Sequence, residues 1–307
     1  MPEAVLEISN VRKTYRKGAE ALKGISLTVP AGSVFGLLGP NGAGKSTLVK
    51  ILTTIIRPTA CEGTMLGNRV GHKATLRRVG YLPEHARFPD YLTGRQVIQF
   101  SAGLAGFSKG QVAGRVNELL ERVRMAQVAD KRVRTYSKGM KQRIGLAQAL
   151  VCDPDLIFLD EPTDGVDPEG RLEIRNLVSE LRDEGRTVFV NTHLLAELEQ
   201  VADRVAILSQ GRLVKVGSLE ELSGARQGYE IVPATPVPDA LRRDLEAMGA
   251  SFEPGKIVRE ATAAADIQEL IDTLRSGGVV IESVNRIRLS LEELFLEAIG
   301  EARDQGS

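Results

Sequence analysis

The sequence predicts an α/β fold: a mixed-sheet core carrying a helical insert, followed by a small C-terminal α/β domain. Three observations predict it. Short aliphatic and β-branched runs recur, each followed by a helical pattern, which is how strands buried on both faces by helices read. Between two of these runs lies a stretch of one-face helical spacing. After Gly217 the texture changes to a glycine-rich connector and a proline-broken segment, marking a domain boundary.

Val34–Leu38, Leu156–Asp160, Thr187–Thr192 and Val205–Ser209 are the candidate core strands. Val112, Val116, Leu119, Leu120 and Val123 share one helical face and lead toward a further helix opening near Ser137, placing a helical insert at about residues 85–155. The first domain is expected over residues 1–222 and a linker over 223–228. Residues 229–307 should form the second domain, with strand Tyr229–Val232, helix Asp239–Met248, strands Ser251–Phe252 and Lys256–Glu260, helix Ile267–Leu274 and strand Val279–Val284.

Composition narrows the function classes. Of 307 residues, 40 are Lys or Arg and 40 are Asp or Glu, a balance that argues against a polyanion partner. No apolar run approaches the ~18 residues of a spanning helix. The start, Met1-Pro2-Glu3-Ala4, lacks the pattern of a secretory signal, so a cytoplasmic location is expected. Cys61 and Cys152, the only cysteines, have no metal-ligand spacing and read as small buried thiols of a reducing compartment.

Val34–Leu38 runs into Gly39-Pro40-Asn41-Gly42-Ala43-Gly44-Lys45-Ser46-Thr47 and then an apolar helical segment, a phosphate-loop motif in its strand-loop-helix context. The glycines let backbone N–H groups wrap phosphate oxygens, and the helix adds its positive dipole end. Lys45 offers a charge to the β- and γ-phosphates, and the Ser46 hydroxyl can ligate magnesium. A second signal follows from the first. The strand Leu156-Ile157-Phe158-Leu159 ends in Asp160-Glu161, setting two carboxylates at a C-terminal strand edge, where such folds bind ligands. Asp160 would hold the magnesium shell and Glu161 would polarise the attacking water for in-line phosphoryl transfer.

Tyr136-Ser137-Lys138-Gly139-Met140-Lys141-Gln142-Arg143 precedes that strand, and Gly165-Val166-Asp167 and His193 follow it. In this order the motifs resemble the ATP-binding cassette (ABC) ATPases over about residues 3–220. The resemblance implies a P-loop NTPase cassette that uses ATP and Mg2+, pairs with a second copy of itself and docks on a separate transmembrane permease. Ser137 reads by itself as a helix N-cap, with the N–H groups of Lys138 and Gly139 free behind it. In the family this turn clasps the γ-phosphate held by the opposite subunit. Tyr15 resembles the aromatic that stacks on adenine, although an edge-strand tyrosine reads the same way. Asp167 resembles the aspartate linking the two sites of a dimer and equally suits a turn before a helix. His193 resembles the switch histidine that contacts γ-phosphate, while His72 and His85 read as solvated.

Three positions depart from the usual pattern: Glu84 stands where Gln is typical, and Lys138 and Met140 replace Gly and Gln. Glu84 keeps an oxygen that can face the metal, and Lys138 adds a cation near the incoming phosphate. Signatures of this kind resemble those of exporter ATPases for drugs, lipids or polysaccharides. The family's docking groove maps near Glu84 and Arg87–Leu92. The C-terminal unit resembles the tail of exporter ATPases, serving dimerisation or regulation, or a plain structural cap. Two rival readings share the chemistry: a non-transport cassette ATPase acting on nucleic acid or the ribosome, and a catalytically silent nucleotide-binding subunit.

Overall fold

The computed structural model describes residues 3–16, 18–223, 228–261, 263–287 and 290–304. The chain divides into two compact units, Met1–Ser218 with Phe295–Ser307, and Leu219–Leu294. The division thus falls a few residues before the boundary expected at 222, and the last helix is split between the units.

The first unit opens with β1 (Ala4–Thr14) and β2 (Glu20–Pro30), followed by β3 (Val34–Leu38), α1 (Lys45–Leu52), β4 (Ala60–Met65), β5 (Asn68–Arg69) and β6 (Val79–Leu82). Then come α2 (Gly94–Leu104), α3 (Lys109–Arg122) and α4 (Lys138–Leu150), the helical insert. The rest is β7 (Leu156–Asp160), α5 (Pro168–Asp183), β8 (Thr187–Asn191), α6 (Leu195–Glu199), β9 (Arg204–Ser209) and β10 (Arg212–Gly217).

A six-stranded sheet runs in the order β10-β9-β3-β8-β7-β6, parallel except for the antiparallel β10 at its edge. Every residue of β3, β7 and β8 is buried, which is why these strands read as unbroken apolar runs instead of alternating. Phe189 stands between Phe35 and Phe158, with ring centroids 5.4 and 5.2 Å away, at the centre of the core. This sheet brings the ends of β3, β7 and β8 side by side, so the loops that follow them share one edge.

A separate antiparallel sheet, β2-β1-β4-β5, escaped the sequence reading. Its signal is the alternation Ile25, Leu27, Val29, all buried, with exposed Ser26 and Thr28 between them. β8 ends at Asn191, not at the expected Thr192, and β1 ends at Thr14, which leaves Tyr15 in the connection to β2 and outside any strand. In the insert, Val116, Leu119, Leu120 and Val123 are buried as their spacing predicts. Arg124, at φ 54°, stops α3 there.

The second unit holds α7 (Leu219–Ser223), β11 (Gly228–Pro233), α8 (Asp239–Ala247), β12 (Ala250–Glu253), β13 (Lys256–Glu260), α9 (Gln268–Ser276) and β14 (Ile281–Ile287), and α10 (Leu291–Asp304) closes the described chain. The strands pair antiparallel as β12-β13-β11-β14, and Ile231, Leu245, Ile257, Leu270 and Leu274 form the core beneath α8 and α9. The strand-helix-strand-strand-helix-strand order is the one the sequence predicts. Of the expected linker, residues 224–227 lie outside the described residues.

Candidate functional site

The phosphate loop leaves β3 at Leu38 and becomes α1 at Lys45. Gly44, the N-cap, sits at φ 106°, and a Cβ there would come within 2.6 Å of the Ala21 carbonyl oxygen, so the tight turn accepts glycine only. No side chain caps α1, which leaves its first N–H groups facing the cleft. Lys45 is only 7% exposed, and its ammonium donates to the carbonyl oxygens of Gly39 at 2.6 Å and Pro40 at 3.4 Å. Burial pushes its pKa down, opposed by the nearby carboxylates of Glu161, Asp160 and Glu84. Ala21, Asn41, Gly42, Ala43, Gly44, Lys45, Ser46, Thr47, Glu84 and Glu161 line the cleft.

Asp160, 1% exposed, ends β7 beside this loop. Its Oδ1 accepts from Ser46 Oγ at 3.2 Å and, at closer range, from Asn191 Nδ2. Its Oδ2 is buried without a hydrogen-bond partner among the described residues. Burial raises the pKa of this carboxyl, the bonds from Asn191 and Ser46 oppose that, and Glu84 and Glu161 raise it further. A buried carboxylate with one idle oxygen, near two other carboxylates, calls for a cation. The chain fits magnesium in particular, which takes one or two protein oxygens and fills its shell with phosphate and water. Among the described residues no group of three or more His, Cys, Asp or Glu could enclose a metal by itself.

A pH dependence follows. The folded-state pKa of Asp160 lies above the unfolded one, so its contribution to stability is full below the unfolded value and is lost as pH rises through the folded value. Asp160→Asn should therefore raise the melting temperature of the nucleotide-free protein at pH 7.5. That gain should shrink as the pH is lowered into the acid range, and the variant should lose the extra stabilisation that magnesium and ATP give the parent. Thermal melts across pH, with and without both, check all three.

Glu161 occupies the left-handed region at φ 51°, a strain of roughly 1–3 kcal/mol that local structure must hold. Its N–H donates to the Asn191 carbonyl at 2.8 Å, and its own carbonyl accepts from Gln142 Nε2 at 3.1 Å. Three donors converge on Oε2: Thr192 Oγ1 at 3.2 Å, His193 N at 3.4 Å and His193 Nδ1 at 2.8 Å. A carboxylate only accepts, so Nδ1 is the donor in this contact. Oε1 receives none of these bonds and is the oxygen free to take a proton from water.

The signature residues lie in a second depression, lined by Arg124, Met125, Val128, Ser137, Lys138, Gly139, Met140, Arg143, Gly165 and Asp167. Ser137 Oγ caps α4 by accepting from Met140 N at 3.2 Å, and Asp167 Oδ1 caps α5 by accepting from Gly170 N at 3.1 Å. Lys138 Nζ pairs with Asp164 Oδ2 at 2.6 Å.

Lys45, Ser46, Glu84, Asp160, Glu161 and His193 thus gather at one place, and Ser137, Lys138, Gly139 and Asp167 at another, with no lining residue in common. Tyr15 joins neither. It is 40% exposed, with the Lys13 ammonium 5.0 Å from its ring centre. Sequence reasoning missed Asn191, Gln142 and Thr192. Asn191 had a signal, a polar residue closing an otherwise apolar strand, whereas Gln142 and Thr192 acquire their contacts with Glu161 only through packing.

Comparison with known proteins agrees with this geometry. A family model described as ABC transporter matches residues 22–164. An uncharacterized ABC transporter ATP-binding protein of a Synechocystis species is 41% identical over 305 residues, spanning 97% of this chain and 85% of that protein. The daunorubicin/doxorubicin resistance ATP-binding protein DrrA of Streptomyces peucetius is 33% identical, spanning 100% of this chain and 96% of that one. Among solved structures, an ATP-binding cassette captured as a dimer in a post-hydrolysis state with ADP and Pi is 25% identical at a TM-score of 0.66, over 70% of this chain and 99% of that one. With its phosphate loop, paired carboxylates and signature turn set on a mixed sheet, the chain belongs to the ATP-binding proteins of the ABC transporter family, P-loop ATPases that bind ATP.

Proposed function

We propose that the chain is the ATP-hydrolysing subunit of an exporter and works as a pair of copies closing on two nucleotides. The observation that carries the reading is the separation of the two anion-binding features. The N–H groups of the phosphate loop and those behind Ser137 belong to different depressions of one chain, so a single copy holds half of each site. The dimeric relative bound to ADP and Pi supports the same arrangement.

When bound, ATP with magnesium supplies the scissile phosphoanhydride and neutralises the charge that phosphoryl transfer develops. The chain's own residues do the rest. The loop amides and Lys45 hold the phosphates, Ser46 Oγ and Asp160 Oδ2 hold the ion, and Glu161 Oε1 takes the proton of the attacking water. Thr192 and His193 keep Glu161 aimed through Oε2, and the exposed His193 ring can also reach the terminal phosphate. Glu84 faces the same cleft and adds charge near the metal. Ser137, Lys138 and Gly139 grip the phosphate held by the other copy, and Asp167 sits beside that grip. Tyr15, exposed in the connection between β1 and β2, is the ring offered to adenine. Because both halves share the terminal phosphate, its loss removes the contact that favours closure.

Among the described residues no helix is long and apolar enough to cross a membrane. We place the pair on the cytoplasmic face, docked on a separate permease. Tyr91 in the segment after Glu84, and Phe100 and Leu104 one helical turn apart on α2, are large exposed apolar side chains suited to receiving it. The resistance relative supports export.

A crosslinking experiment tests the pairing. One preparation carries Asn41→Cys and another Ser137→Cys, both with Cys61 and Cys152 changed to Ser. A short thiol crosslinker should join the two chains when they are mixed with ATP and magnesium, and neither preparation alone. No crosslink, or an equal yield without nucleotide, sinks the clamp.

A further inference from the structure

One ion pair joins the signature turn to the loop carrying Glu161, and the cycle above makes no use of it. Lys138 Nζ meets Asp164 Oδ2 at 2.6 Å. The lysine stem crosses the face of Gly165, which sits at φ 69°; a Cβ there would stand 2.8 Å from Lys138 Cε and Nζ. Glycine at 165 is what lets the lysine lie down on this loop. Asp164 N in turn donates to the Glu161 carbonyl at 3.2 Å, so the pair is anchored three residues from the proposed base.

Both partners keep contact with solvent, their side chains being 54% and 36% exposed, and an ion pair so placed is held weakly. An ammonium is a compact charge on a flexible stem and follows the stronger anion. A terminal phosphate carries more charge and more acceptor oxygens than a carboxylate. Lys138 also belongs to the depression that, on the reading above, receives the other copy's phosphate. The same carboxylate is held below the usual aspartate range, first by its hydrogen bond from Lys138, against a smaller opposing effect of burial, so the Lys138 ammonium is the main group that keeps it charged.

We infer that Lys138 exchanges Asp164 for the terminal phosphate of the nucleotide held by a second copy, so that Asp164 competes with ATP for one ammonium and sets the ATP concentration at which two copies close. This rests on the clamp reading. Asp164 is thereby a positioning residue: it holds Lys138 back until phosphate arrives, and its release changes the field on the loop that bears Glu161.

The test uses full-length protein carrying Glu161→Gln, so that turnover does not drain the closed state. Sedimentation velocity reads the ATP concentration for half-maximal dimer in the presence of magnesium. Asp164→Asn is expected to lower that concentration about 5-fold, the equivalent of ~1 kcal/mol, and Lys138→Ala to raise it by a similar factor. With Lys138 already Ala, Asp164→Asn should shift it by less than about 1.5-fold, since no ammonium remains to be released. Shifts in the same direction would mark a merely structural tie and overturn the exchange. Opposite shifts that simply add would mark a bare electrostatic field and overturn it too. If the Glu161→Gln parent forms no ATP-dependent dimer, the clamp itself fails and the exchange falls with it.

Discussion

Glu161→Gln is expected to lower ATP turnover by about 10²–10⁴-fold, the range associated with a lost general base, while ATP binding survives. The geometry explains why the damage is confined to chemistry. Oε2 takes all three local hydrogen bonds, from Thr192 Oγ1 and from the His193 backbone and ring. A glutamine oxygen in the same place accepts all three, so the side chain stays aimed. The amide nitrogen then falls where Oε1 was, and an amide takes no proton from water at neutral pH. The backbone contacts of this strained position, to Asn191 and Gln142, are indifferent to the change. Binding without chemistry should let the ATP-bound dimer accumulate. Phosphate release and sedimentation on the same preparation check both halves, and turnover equal to the parent would remove Glu161 from its role.

Lys45→Ala is expected to weaken ATP binding by about 10²-fold or more. Lys45 is the buried cation lining this cleft, set among Glu161, Asp160 and Glu84. Hydrogen bonds to charged groups contribute ~1.5–3 kcal/mol each, and losing two at the lower figure already corresponds to about a hundredfold. Its removal should cost the nucleotide-free fold little. The ammonium is partly desolvated, its bonds are to two carbonyls of one loop, and Ala suits the start of a helix. Titration with a fluorescent ATP analogue, beside a thermal melt of the same sample, separates lost binding from lost folding. An unchanged affinity would contradict the phosphate-loop assignment.

The site was legible in sequence where chemistry depends on local order. A glycine-rich loop between a buried strand and a helix creates its own anion cradle, and a carboxylate pair at the end of β7 can point only toward the sheet edge. Residue contacts made across strands were not legible in the same way. Asn191 reaches Asp160 and Ser46 because β8 lies between β3 and β7, a neighbour relation that spacing along the chain does not express. Tyr15 is the converse case: sequence offered it as a ring over the nucleotide or an edge-strand residue, and it lies in the connection between β1 and β2, outside the cleft lining.

What the sequence determined by itself is the family, the α/β core and its helical insert, and the candidate ligands for phosphate, magnesium and water, because each motif is written in residues close together along the chain. Tertiary structure alone decided the distribution of those ligands over two depressions, the three bonds that aim Glu161, and the pairing of Lys138 with Asp164. These depend on which loops the sheet order and the packing of α4 bring side by side, and contacts between residues 26 to 145 positions apart are settled by packing, which no local pattern encodes.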